Sequence, residues 1–94
     1  MDINEKLAVV TGAGSGIGRA LASRLVDAGA RFVVCTDLDG AAARETADLI
    51  GAKASGAVLD VADQAAIEDL VTRVEAAHGG IDIFVSNACS APVS

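Results

Sequence analysis

Short, nearly continuous apolar runs alternate along this chain with longer stretches whose apolar residues recur every three or four positions. The runs at 6–11, 31–37, 54–60 and 81–86 predict four strands, the first of them (Leu7-Ala8-Val9-Val10) apolar throughout, as in a sheet covered on both faces. The second is apolar until it closes on Asp37, the third finishes Val58-Leu59-Asp60, and the fourth reads Ile81-Asp82-Ile83-Phe84-Val85-Ser86. Between them, Ile17, Leu21, Leu25 and Ala28 predict a helix over 16–28, with Gly29 placed for its C-terminal turn. A second helix, from 39 or 40 to 50, has a weaker face of Ala43, Thr46, Ala47 and Ile50, whose small side chains imply close packing on the sheet. The third, over 64–77, is the clearest, with Ile67, Leu70, Val71 and Val74 on one face, Asp63 as a suitable N-cap and Gly79-Gly80 as the stop.

Strands that alternate with helices in this way imply right-handed crossovers and a parallel sheet. The expected fold is α/β, a doubly wound parallel sheet of four strands in the order 3-2-1-4 with three helices. The chain reverses direction between strands one and four, and a ligand belongs at that switch, over the C-terminal strand ends. Ninety-four residues make one domain at most, 1–94, with a thin core. Apolar residues are 52% of the chain, yet only two are Phe and none is Tyr or Trp, so the core is built from Ala, Val, Leu and Ile. No repeat, low-complexity tract or internal linker interrupts it.

The first strand runs into Thr11-Gly12-Ala13-Gly14-Ser15-Gly16-Ile17-Gly18 and then into a helix. A phosphate needs outward-pointing backbone N–H groups there, the positive end of a helix dipole, and no Cβ in the way. A P-loop would require Gly-Lys-Ser/Thr where positions 17–19 hold Ile-Gly-Arg, and the G-x-G-x-x-G fingerprint would require glycine at Ile17. The spacing that fits is T-G-x-x-x-G-x-G, carried by Thr11, Gly12, Gly16 and Gly18. In this the chain resembles the short-chain dehydrogenase/reductase family, and the resemblance runs over about 6–88. Taken alone, the glycines also fit a turn of purely structural purpose. The resemblance implies a Rossmann-type fold, oxidoreductase chemistry on alcohol or carbonyl groups, and a nicotinamide dinucleotide cofactor.

The pyrophosphate of such a cofactor would lie over Gly16, Ile17 and Gly18, beyond the turn at Gly12, with the Ser15 hydroxyl able to donate a further bond. Asp37 falls 19 residues after Gly18, where a dinucleotide fold places an acid against the adenosine ribose. Its alternative role is an acidic cap for the next helix. A carboxylate here accepts from both ribose hydroxyls and opposes a 2′-phosphate, which selects NAD over NADP. The resemblance agrees, because NADP users of the family tend to carry a basic residue at the positions that hold Ser15 and Leu38 here. It implies further that Asp60 takes the adenine amino group and that the Val61 N–H meets the ring; a turn leading into Asp63 is the alternative for that pair. Asn87-Ala88 is implied to border the nicotinamide-side ribose, and Cys89 stands where the family has glycine, so that a Cβ and sulfur would crowd a close backbone approach.

A net charge of −6 and a pI near 4.4 argue against nucleic acid or an anionic membrane as partner. No apolar stretch approaches ~20 residues and positions 1–6 lack the shape of a signal peptide, so a cytoplasmic location is expected. Cys35 and Cys89 have neither metal nor disulfide-framework spacing; Cys35 is read as a small buried hydrophobe and His78 as a solvated cation at a helix C-terminus.

The chain has no tyrosine, so the family's Tyr-x-x-x-Lys pair, which with a Ser and a further Asn handles the proton, lies outside it. The expectation is an N-terminal, cofactor-binding fragment that holds the ADP part of NAD and has no catalytic residues of its own. The alternatives are a stand-alone dinucleotide-binding sensor or regulatory module, a non-functional truncated fragment, and a chain completed by another polypeptide. On the fourth strand Ile81, Ile83 and Val85 alternate with Asp82, Phe84 and Ser86 without proline or lysine to protect the edge, so a homo-oligomer or a partner through that edge is expected.

Overall fold

Every apolar run forms a strand and every periodic stretch a helix. The computed structural model describes residues 3–87. Its elements are β1 (Leu7–Val10), α1 (Gly16–Asp27), β2 (Phe32–Asp37), α2 (Gly40–Ile50), β3 (Ala54–Val58), α3 (Gln64–His78) and β4 (Ile83–Val85). All pairings are parallel and the order is β3-β2-β1-β4, as expected from the alternation of elements. Val9 of β1 sits opposite Val34 on one side and Phe84 on the other.

The central position of β1 explains its composition: all four of its side chains are buried because both faces of the sheet are covered. Ala8 and Val10, with Val33 and Cys35, face Ala22 and Leu25 of α1, and Ile50 of α2 packs on the same cluster. Leu7, Val9 and Val34 face the other way, onto Leu70 and Val74 of α3. The α2 face of small residues has the consequence expected of it, since a Cβ built on Gly56 would meet the Arg44 backbone nitrogen at 2.6 Å. Asp39 caps α2 by accepting from the Ala42 N–H at 3.1 Å, and Asp63 caps α3 from Ala66 at 3.1 Å.

Some details differ from the sequence pattern. β3 ends at Val58 rather than at position 60, because Asp60 turns the chain: its Oδ1 accepts from the Ala62 N–H at 2.9 Å and its carbonyl from the Asp63 N–H at 3.0 Å. β4 begins only at Ile83, and just before it Asp82 meets Leu7 through both main and side chain, its N–H donating to the Leu7 carbonyl at 2.9 Å and its Oδ2 accepting from the Leu7 N–H at 2.9 Å. α1 stops at Asp27, one residue early, and α3 runs one further, to His78. His78 stands in the last turn of α3 as expected, but half-buried rather than freely solvated: its ring stacks on Phe32 at the start of β2, centroids 4.2 Å apart and planes 19° apart, and its carbonyl accepts from Arg31 Nη1 at 2.7 Å.

Cys35 is fully buried and its thiol is pushed up from 9.0 to about 11 by desolvation. The folded state therefore holds this proton more tightly than the unfolded chain. The resulting stability is complete below pH 9 and is lost as pH rises toward 11. We expect the unfolding free energy to fall by about 2 kcal/mol more between pH 8 and 10.5 in the wild type than in Cys35→Ala, since one pKa unit is worth ~1.4 kcal/mol. Urea titrations at the two pH values check this, and parallel pH profiles would refute it.

Candidate functional site

At the end of β1 the chain must turn from the sheet into α1 within a few residues. Thr11, fully buried, anchors the start: its hydroxyl donates to the Val85 carbonyl at 3.3 Å and accepts from the Asn87 N–H at 2.8 Å, joining the ends of β1 and β4. Gly12 and Gly16 take left-handed backbone angles, φ 64° and 59°, which only glycine adopts cheaply. Gly18 is helical and is needed for a different reason. A Cβ there would overlap the Gly12 carbonyl oxygen and come within 2.8 Å of Asn87 Nδ2.

This turn, with the ends of β2, β3 and β4, encloses a cleft of about 630 Å³ at the point where the strand order reverses. The volume lies in the ~300–1,000 Å³ range of small-molecule sites. The turn contributes Gly12, Ser15, Ile17 and Gly18, and β2 contributes Asp37 with Leu38 after it. Asp60 and Val61 border it from beyond β3, and Asn87 from beyond β4. Gly16 is not part of the lining; it shapes the turn. Ala88 and Cys89 lie outside the described residues. Leu59 and Ala62 also line the cleft, though their pattern reads only as a strand end and a turn. Ile17 and Leu38 are 77% and 70% exposed, so the mouth of the cleft is apolar.

The polar groups face each other across this space. Ser15 is the N-cap of α1 but makes no side-chain capping bond, and the first turn of α1 holds no acidic residue. The N–H groups of that turn have no carbonyl one turn back within the helix. α2 and α3 are capped by Asp39 and Asp63, neither of which lines the cleft. Opposite α1 stands half-buried Asp37, which is not the cap of α2. Its Oδ2 accepts from the Gly14 N–H at 2.8 Å and its Oδ1 from the Asp39 N–H at 3.0 Å. The carboxylate thus ties the glycine turn to the end of β2.

Sequence reasoning missed the groups that hold the turn from behind. Arg19 donates to the Gly14 carbonyl at 2.7 Å, to Thr46 Oγ1 at 2.8 Å and to Glu45 at 3.1 Å, while the Thr46 hydroxyl donates to the Ala13 carbonyl at 2.6 Å. The one signal was a threonine on the apolar face of α2. Among the described residues no group of three His, Cys, Asp or Glu is placed to hold a metal, and no helix is long and apolar enough to cross a membrane.

A profile of the short chain dehydrogenase family matches residues 6–94. The chain belongs to the short-chain dehydrogenase family. It is 42% identical over 88 residues to the 3-oxoacyl-(acyl-carrier-protein) reductase FabG of Salmonella typhimurium, covering 94% of this chain and 36% of the reductase. Sorbitol dehydrogenase of Cereibacter sphaeroides is 46% identical over 88 residues, which are 94% of this chain and 34% of that enzyme. The crystal structure of a hydroxysteroid dehydrogenase from Escherichia coli superposes with a TM-score of 0.87 at 33% identity, over 94% of this chain and 38% of the other. This short-chain dehydrogenase chain thus spans about a third of the length of the curated relatives it matches. The family uses a nicotinamide dinucleotide, NAD or NADP.

Proposed function

We propose that this chain forms the adenosine half of an NAD site in an oxidoreductase acting on alcohol or carbonyl groups. The observation that carries the reading is the cleft at the strand-order switch, where an uncapped helix N-terminus and a carboxylate at a strand end face one ligand-sized space. In it the N–H groups of Ile17 and Gly18 and the Ser15 hydroxyl hold the pyrophosphate, Gly16 shapes the turn that presents them, and Gly12 and Gly18 keep side chains out of its way. Asp37 accepts from the adenosine ribose hydroxyls and Leu38 covers the ribose without offering a cation. Asp60 and the Val61 N–H meet the adenine, and Asn87-Ala88 borders the second ribose. When bound, the cofactor supplies hydride acceptance or donation. Because these residues include no tyrosine, we place proton transfer to and from the substrate outside them. The outer edge of β4, with Phe84 42% exposed and no strand beyond it among the described residues, supports pairing with further polypeptide there.

Calorimetric titration tests the cofactor assignment. NAD and ADP-ribose are expected to bind, and NADP at least about tenfold more weakly, because its 2′-phosphate meets the Asp37 carboxylate in a contact of like charge. Absence of heat with both NAD and ADP-ribose, or equal affinities for NAD and NADP, would overturn it.

A further inference from the structure

We propose that Arg19 is a positioning residue that aims the backbone of the glycine turn at the cofactor's phosphates, without touching them; this rests on the dinucleotide reading above. A cation one turn into a phosphate-facing helix invites assignment as a phosphate ligand. Arg19 is not part of the cleft lining, and its guanidinium runs back toward α2. Two successive carbonyls of the turn are held on that side: Ala13 by the Thr46 hydroxyl and Gly14 by Arg19 Nη2. A trans peptide unit points its N–H opposite to its C=O. Holding the Ala13 carbonyl therefore turns the Gly14 N–H the other way, where it meets Asp37 at 2.8 Å. By the same geometry, holding the Gly14 carbonyl turns the Ser15 N–H away from α2, and Ser15 lines the cleft.

The clip is needed because Gly14 has little conformational preference of its own. It cannot be replaced by a bulkier residue, since a Cβ at Gly14 would stand 2.7 Å from Asp37 Oδ2 and 2.8 Å from the Ala42 Cβ. Arg19 and Thr46 act together, the hydroxyl accepting from Arg19 Nε while it donates to Ala13.

The test uses Arg19→Met, Thr46→Val and the double variant, with ADP-ribose titrated by calorimetry and adenosine by amide chemical-shift changes. Arg19→Met should weaken ADP-ribose about tenfold and adenosine less than twofold, because only the first carries the phosphates. The double variant should lose no more than the worse single variant. Arg19→Lys, with one donor for the Gly14 carbonyl and no planar fork, should recover part of the loss, and it serves if Arg19→Met does not fold. Equal losses for both ligands, unchanged ADP-ribose affinity, or losses that multiply in the double variant would overturn the proposal. A wild-type protein that binds neither ligand would instead overturn the dinucleotide reading.

Discussion

Gly18→Ala is expected to remove measurable NAD binding and to lower the folding free energy by about 3 kcal/mol, at the upper end of the ~1–3 kcal/mol typical of overpacking. Intrinsic helix propensity points the other way, since alanine inside a helix is favoured over glycine by about 1 kcal/mol. Sterics decide the sign. The new methyl would overlap the Gly12 carbonyl oxygen and lie 2.6 Å from its carbon, and both belong to main chain held by neighbouring elements. Either α1 moves off the sheet or the Gly12 turn opens, and both displace the N–H groups that face the cleft. Calorimetry with NAD and urea unfolding of the same preparation check this; a variant with wild-type stability and affinity would show that the close approach of α1 to Gly12 is not required.

Asp37→Ala is expected to cost at least about a hundredfold in NAD affinity, which corresponds to ~2.7 kcal/mol. Hydrogen bonds to a charged group contribute ~1.5–3 kcal/mol each, and the proposed ribose contacts supply two. The substitution also leaves the Gly14 N–H, part-buried, without the carboxylate that accepts from it at 2.8 Å. Asp37→Asn separates the two roles. Its single amide oxygen can still accept from Gly14, which keeps the glycine turn in place at the cost of the bond from the Asp39 N–H, while the loss of charge removes the repulsion of a 2′-phosphate. We expect it to bind NAD about tenfold more weakly than wild type and to bring the NAD and NADP affinities within about threefold of each other. Titration of both cofactors into wild type and the two variants checks this. Unchanged NAD affinity in Asp37→Ala would remove Asp37 from the site.

Particular residues show which parts of this were legible in the chain. The spacing of Thr11, Gly12, Gly16 and Gly18 foretold a strand-turn-helix, because positive φ angles and helix initiation are demands made within a few residues. Asp37 was legible as the residue that closes β2, yet its bond to Gly14, 23 residues earlier, was not. Arg19 shows the opposite case. It sits on a polar position of the α1 wheel like any solvated arginine, and only the packing of α1 beside α2 brings Thr46, 27 residues on, within reach. Asp82 was legible only as one of the alternating positions of the fourth strand, yet its carboxylate accepts from the first N–H of β1, 75 residues away.

The order of apolar runs and helical periods determined the elements, the parallel sheet and its 3-2-1-4 order, because burying both faces of short apolar strands leaves few arrangements for a chain of this length. The glycine spacing likewise determined where the main chain would turn. Only the tertiary structure decided what holds that turn in its working shape: the carboxylate of Asp37 from one side and the Arg19 and Thr46 donors from the other. Periodicity is set by neighbours along the chain, whereas a side chain's hydrogen-bond partner is set by which elements the sheet lays side by side. That second choice is made over tens of residues and leaves no repeat in the sequence to read.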